Sequence, residues 1–291
     1  MLDDADETPV PWWSFGKTVL AAAALRLVAQ GKLTLDETVP GEVYTLRQLL
    51  CHRSGLGDYG MLRDYHEAVA RGDAPWSQAE MRQRTRHLVA KPDQRFIYSN
   101  IGYSIVREMI EAAAGGDLQA ALDELVFGRL GISGVRVVTT PADLAATAWG
   151  NAGGTHPGWV YHGLLAGSVG TAALLLSLLL DTEQALIPAE LVAAMRTPLP
   201  VERAADDRPW CLDGDGGYGM GLMTGIGEPP VRFEGHTGGG PGSRIAVYRA
   251  NSTGLTACVA ADSEDEAAVE RAAMWRATTP SGRPLDDAGS V

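Results

Sequence analysis

Positive charge is scarce in this sequence. Its 24 basic residues face 36 acidic ones, leaving a formal charge of −12. Such a chain has no electrostatic footprint for phosphate backbones or anionic lipid, which argues against nucleic acid and membrane surface as main partners. Lysine is scarcer still: Lys17, Lys32 and Lys91 stand against 21 arginines. Cysteine is limited to Cys51, Cys211 and Cys258, an odd number without C-x-x-C spacing. That argues against a disulfide framework and for free thiols in a reducing compartment. The six histidines are scattered and form no H-E-x-x-H, so neither a metal nor another cofactor is expected. Long apolar runs are missing as well. The most apolar stretch, Ala172–Leu180, is interrupted by Ser177 and falls short of the ~20 residues of a membrane span. The N-terminus is acidic where a signal peptide is basic and then apolar. A cytoplasmic protein is the expectation.

What is present is enough apolar residue, 45% of 291, for one substantial core or two smaller ones. Residues 14–30 read as a helix that opens at Ser14 and stops at Gly31. From about 60 to 205 the spacing is mostly helical, over 77–90, 101–114, 118–127, 171–181 and 188–196, with a loop at 149–158. After about 210 the pattern changes. Tyr218–Thr224, Val231–Gly239, Arg244–Ala250 and Leu255–Ala261 read as four strands of an antiparallel meander, followed by a helix over 264–276. Residues 1–36 and 210–277 are therefore expected to form a sheet domain, with 37–209 inserted as a mainly helical one. The tail 278–291 is expected to be mobile. A cleft between the two parts is the natural place for a site.

Three short segments carry chemistry. Ser14-Phe-Gly-Lys17 places two side chains one helical turn apart on one face. A serine hydroxyl becomes a useful nucleophile when a neighbouring base takes its proton, and a desolvated lysine can be that base. The same four residues also suit a plain N-cap serine followed by a surface lysine. Lysine at this position, in a chain that favours arginine, tilts the reading towards chemistry. Tyr98-Ser-Asn100 precedes a helix; in extended backbone Tyr98 and Asn100 point the same way. Tyr98 can relay a proton and Asn100 can orient a substrate amide or the lysine, although a core-edge tyrosine and a helix-capping asparagine would look alike. His236-Thr-Gly-Gly239 ends a strand, where glycine lets a substrate backbone approach. A Gly-rich turn is the plain alternative.

Taken together, S-x-x-K, Y-x-N and H-T-G at positions 14, 98 and 236 resemble the class C β-lactamase superfamily, which includes DD-peptidases, D-aminopeptidases and esterases. Thr45-Leu-Arg-Gln-Leu-Leu-Cys-His-Arg-Ser-Gly-Leu56, Phe96-Ile-Tyr-Ser-Asn-Ile-Gly-Tyr103 and Tyr218-Gly-Met-Gly-Leu222 extend the similarity over nearly the whole chain. The resemblance implies an α+β, β-lactamase/transpeptidase-like fold: an antiparallel sheet flanked by helices, with an inserted helical subdomain. It implies that Ser14 attacks a carbonyl and is acylated, and that Lys17 and Tyr98 share the proton transfers. Asn100, His236, Thr237, Gly238 and Gly239 would bind substrate, with the Ser14 and Gly239 N–H groups as the oxyanion hole. His236 stands where lactam-binding members carry a lysine, which leans the reading towards an esterase or peptidase. His52 is read as buried and structural. Small ester, amide or peptide substrates are the expected ligands, and a binding module with little turnover is the alternative.

Two weaker motifs are set aside. Gly214-Asp-Gly-Gly-Tyr-Gly219 fits G-x-G-x-x-G but precedes a strand rather than a helix. Ala166-Gly-Ser-Val-Gly170 nearly fits a G-x-S-x-G elbow, yet reads better as a small-residue turn before a helix. One departure remains. The family usually carries a helix and two strands before the nucleophile, and 13 residues precede Ser14 here. The expectation is an uncovered sheet edge; a trimmed chain, a degenerate protein or a partner filling the gap would each account for it, and a partner such as a second copy in a homo-oligomer is favoured.

Overall fold

The helix that follows Ser14 is apolar on every side, so it belongs in the middle of the molecule rather than on its surface. In a computed structural model, which describes residues 6–150, 154–181, 186–201, 216–227 and 230–279, this helix runs Gly16–Ala29 and is buried from Gly16 to Leu25. Four consecutive alanines, Ala21–Ala24, keep it thin enough for close neighbours. One is Gly221, held at φ 76°, where an added Cβ would stand 2.5 Å from Ala21 Cβ. Thr18 Oγ1 donates to the Gly221 carbonyl at 2.7 Å. The chain leaves the helix through Gly31, at φ 70°.

Among the described residues, nine strands form two antiparallel sheets. They are β1 (Val10–Pro11), β2 (Arg136–Val138), β3 (Leu164–Gly167), β4 (Leu199–Pro200), β5 (Gly217–Tyr218), β6 (Met223–Ile226), β7 (Phe233–Gly240), β8 (Ser243–Ala250) and β9 (Thr256–Ala261). The larger sheet has the order β4-β5-β6-β7-β8-β9, and the smaller β1-β3-β2. The meander is as expected from the sequence, with one correction. Tyr218–Thr224 is a hairpin rather than one strand, because Gly219–Leu222 turns the chain back between β5 and β6. β7 and β8 are joined by Pro241 and Gly242 alone, with Gly242 at φ 83°.

The helices Val169–Leu180 and Glu266–Thr278 both pack on β8 and β9. The first is capped by Ser168, whose Oγ accepts the Thr171 N–H at 3.1 Å; the 166–170 segment therefore leads into a helix as expected, but as the end of β3 rather than as a turn. The short helix Leu46–Leu50 opens with a capping box between Thr45 and Gln48. One apolar core runs from Val10 through the first helix and the middle of the chain to Ala260. Cys51 and Cys258 lie buried, and burial pushes Cys51 up to about 12, which makes it inert. Cys211, Gly214, Asp215 and the tail from Pro280 fall outside the described residues. Among the described residues no helix is long and apolar enough to cross a membrane.

Candidate active site

The nucleophile sits on a tight turn held from three sides. Trp13–Phe15 form a single 3-10 turn leading into the helix, closed by Phe15 N–H donating to the Trp12 carbonyl at 2.9 Å. Ser14 therefore caps nothing: no side chain caps this helix start, which removes the N-cap reading. Trp12 Nε1 donates to the Gly167 carbonyl at 3.1 Å, and Trp13 Nε1 to Ser243 Oγ at 2.9 Å. Trp13 is itself in the left-handed region, at φ 41°, a conformation that costs a bulky residue about 1–3 kcal/mol. The surrounding structure stabilises it. Trp12, Trp13 and Phe15 are buried while Ser14 stays half-buried, and Ser14 lines a cavity together with Trp13.

Strand β7 comes against this turn because it carries no side chain where they touch. A Cβ added to Gly238 would lie 2.7 Å from the Trp12 carbonyl oxygen and 2.9 Å from the Ser14 nitrogen. Gly240 is equally closed, by the Trp13 ring.

Lys17 reaches back one turn, and its Nζ donates to Ser14 Oγ at 3.0 Å. It is fully buried. Burial pushes its pKa down to about 7, against a smaller upward pull from the Asp58 carboxylate. The Nζ stands 5.0 Å from the Tyr98 ring centroid and 5.8 Å from that of Tyr103. His162 Nε2 is 3.5 Å away. Three buried histidines surround the lysine: His52, His162 and His236. Burial holds all three below their ordinary range, and the charge of Lys17 adds to the effect.

Tyr98 lies between Lys17 and His52, its ring 4.2 Å from the His52 ring. His52 has a structural role here, since its Nδ1 accepts the Ser99 N–H at 3.0 Å and so fixes the 98–100 segment. Ser99 Oγ caps the helix Asn100–Ala114 through the Gly102 N–H at 3.0 Å. Asn100 opens that helix and lines the cavity; its backbone N–H donates to Asp58 Oδ2 at 2.6 Å. Asp58 Oδ1 accepts the Gly60 N–H at 2.6 Å. Burial raises the Asp58 pKa, and these N–H groups and Lys17 pull it back down.

The cavity in front of Ser14 holds about 150 Å³. Trp13, Tyr59, Tyr65 and Trp159 give it aromatic walls beside the polar Asp58 and Asn100, and Gly239 reaches it from β7. Among the described residues, no three His, Cys, Asp or Glu side chains converge as a metal site requires.

The family model for Beta-lactamase matches residues 5–279. The chain belongs to the beta-lactamase family. Its fold is that of the β-lactamase/transpeptidase group, which makes it a serine hydrolase by lineage. A D-stereospecific amidohydrolase from Streptomyces sp. superposes with a TM-score of 0.72 at 19% identity, over 93% of this chain and 86% of that one. The octameric penicillin-binding protein homologue from Pyrococcus abyssi gives 0.73 at 21% identity, over 92% and 65%. The D-amino acid amidase from Ochrobactrum anthropi SV3 gives 0.71 at 22%, over 87% and 78%. At these identities the likeness is one of fold. No curated protein matches the sequence.

Against the family pattern, the structure gathers Ser14, Lys17, Tyr98, Asn100 and Gly239 at one place. Two members of the third box lie elsewhere. Thr237 points to the opposite face of β7, where its hydroxyl donates to Glu266 Oε1 at 2.8 Å. Strand alternation explains this: Thr237 and His236 cannot share a face. His236 faces the right side but is buried beneath the cavity floor, bound to the Tyr218 hydroxyl at 2.9 Å and to the Thr237 carbonyl. Burial pushes it to about 3, so it carries no charge for a substrate carboxylate. Gly238 lies against the nucleophile turn, at the Trp12 carbonyl oxygen and the Ser14 nitrogen. The sequence reading missed Asp58 and His162. Asp58 follows the Ser-Gly-Leu segment by two residues and was within reach of the motif; the lone His162 carried no signal.

Proposed function

We propose that this chain hydrolyses small esters or amides through an acyl-enzyme on Ser14. The observation that carries the reading is the 3.0 Å contact between Ser14 Oγ and a fully buried Lys17 Nζ. With a pKa near 7, a large share of Lys17 is the free amine at neutral pH. As Ser14 Oγ bonds to the substrate carbonyl, its proton passes to Lys17. The Ser14 and Gly239 N–H groups hold the oxyanion, and Lys17 with Tyr98 returns the proton to the leaving alcohol or amine. Water then releases the acid by the same path. Such preorganised donors and general bases each contribute on the order of 10²–10⁴-fold.

The pocket chemistry narrows the substrate. A neutral His236 gives no cation for the carboxylate of a β-lactam, and the small aromatic-walled cavity suits an apolar acyl group. This favours an esterase or amidase, and the D-amino acid amidase among the structural neighbours makes D-amino acid amides the amides to try first. The test is intact-protein mass after a fluorophosphonate and, separately, a β-lactam, with Ser14→Ala as control, followed by turnover of p-nitrophenyl esters and D-amino acid amides. One adduct lost in Ser14→Ala, with ester or amide turnover, is the expected result. A single adduct without turnover would support the binding-module alternative, and no adduct on folded protein would refute a reactive Ser14.

A further inference from the structure

The small sheet β1-β3-β2 connects two segments far apart in sequence. β1 leads through Trp12 into the nucleophile turn; β3 is preceded by Tyr161, His162 and Gly163. Their pairing is fixed by Val10 opposite Gly167 and Pro11 opposite Ala166, and by Trp12 N–H donating to the Leu165 carbonyl at 2.8 Å. Gly163, at φ 94°, turns the chain just before β3, with its N–H on the Val160 carbonyl at 2.8 Å. This anchoring carries His162 into the cavity wall beside Ser14 and brings its Nε2 to 3.5 Å from Lys17 Nζ.

A free amine has two N–H donors and one lone pair. To act as a base it must aim the lone pair at the Ser14 hydroxyl, so its N–H groups must be taken up elsewhere. The aromatic rings of Tyr98 and Tyr103 face the amine, at 5.0 and 5.8 Å to their centroids, and Asp58 is engaged by Asn100 and Gly60. The His162 Nε2 lone pair, 3.5 Å from Nζ, is an acceptor within reach of one N–H. Resting on the Ser14–Lys17 reading above, we propose that His162 is a positioning residue of acylation, accepting one N–H of the Lys17 amine so that its lone pair points at Ser14 Oγ.

Acceptance at Nε2 leaves the ring proton on the buried Nδ1. Burial and the Lys17 charge keep the ring neutral, with the Trp13 carbonyl pulling the other way, so the acceptor persists at neutral pH. The 3.5 Å separation is long for a hydrogen bond, and such contacts tighten when substrate closes the site. As Ser14 adds to the carbonyl, its proton becomes the third N–H of an ammonium that His162 still accepts from. The ammonium then passes that proton to the leaving group. Asp58 pulls the Lys17 pKa up, Lys17 acts in turn on His52 and His236, and Tyr98 and Tyr103 face the amine; none of these changes in the variants below.

The test compares His162→Leu, His162→Gln and His162→Asn in the full chain, measuring kcat and KM for a p-nitrophenyl ester from pH 5 to 9. Gln can place its Oε1 near the lost Nε2, whereas Asn is too short. Leu and Asn are expected to lose about ten- to a hundredfold in kcat at the plateau, with KM little changed. Their acid limb should move to lower pH, because the ammonium has lost an acceptor. Gln is expected to recover most of the plateau and the original limb. Should Leu fail to fold, the Gln and Asn pair decides alone. Equal plateaus for Gln and Asn, or a limb that stays in place, would overturn the inference. A wild-type protein that neither labels at Ser14 nor turns over ester would instead remove the reading beneath it.

Discussion

The Ser14–Lys17 turn and the His236–Gly239 end of β7 meet at the same cavity but contribute in opposite ways. The first acts through side chains: a hydroxyl and a desolvated amine, 3.0 Å apart, set by helix geometry. The second acts mostly through what it lacks. Gly238 has no Cβ, which lets the strand touch the Ser14 nitrogen, and His236 has no charge, which leaves the floor neutral. Thr237, the one side chain in the box with a free-standing hydroxyl, serves the helix Glu266–Thr278 behind the sheet. A motif thus lists positions without saying whether a position matters for its chemistry or for its size.

The contrast can be broken most severely at the turn. Lys17→Met should lower kcat/KM by about 10²–10⁴-fold while raising the melting temperature near pH 7, since folding no longer has to desolvate an amine. A steady-state assay beside a thermal melt checks both, and a variant that is less stable would show that Lys17 is structural. The next largest effect is expected on the strand. Gly238→Ala pushes a Cβ into backbone atoms of Trp12 and Ser14, which should cost about 1–3 kcal/mol and about a hundredfold in rate through a displaced nucleophile. Gly239→Ala meets only the Arg244 side chain, which can move, so its loss should be clearly smaller. Equal losses would show that the two glycines do the same job.

Below these comes an effect of pH on stability. His52, His162 and His236 are held neutral in the folded protein but protonate near 6.5 once unfolded. The unfolded chain then binds more protons, so stability is lost as pH falls from about 6.5, by about 1.4 kcal/mol per pH unit for each histidine. Denaturant titrations from pH 7.5 to 5 should show it, and the slope should be shallower in His236→Asn; an unchanged slope would mean that His236 is charged and the floor is not neutral. The smallest effect is expected for Thr237→Val. It should cost about 1 kcal/mol through the lost hydrogen bond to Glu266 and leave KM alone, whereas a substrate contact would raise KM.

The same contrast explains what could be read from the sequence. Ser14 and Lys17 were legible because a spacing of three on a helix implies a contact whatever surrounds it. The long strands β7, β8 and β9 were legible from their apolar runs and Gly or Pro turns. The hairpin at Gly219–Leu222 was not, because its strands are two and four residues long. Nor was the small sheet, whose strands are two to four residues long and whose β1–β3 pair spans more than 150 positions. His162 depends on that sheet, so nothing local marks it. The depth of His236 was hidden for a related reason, since the Tyr218 that covers it comes from another strand. Contacts made by short-range periodicity can be read directly; contacts made by pairing distant segments need the fold.

The central claim is that a buried, largely neutral Lys17 activates Ser14. The rate at which a fluorophosphonate labels Ser14 between pH 5 and 9, followed by intact mass against Ser14→Ala, tests it most directly. The account predicts a labelling rate that rises with pH as Lys17 sheds its proton, with a midpoint near 7 and no adduct in Ser14→Ala. A rate that climbs without a midpoint up to pH 9, as an ordinary exposed lysine would give, would contradict it.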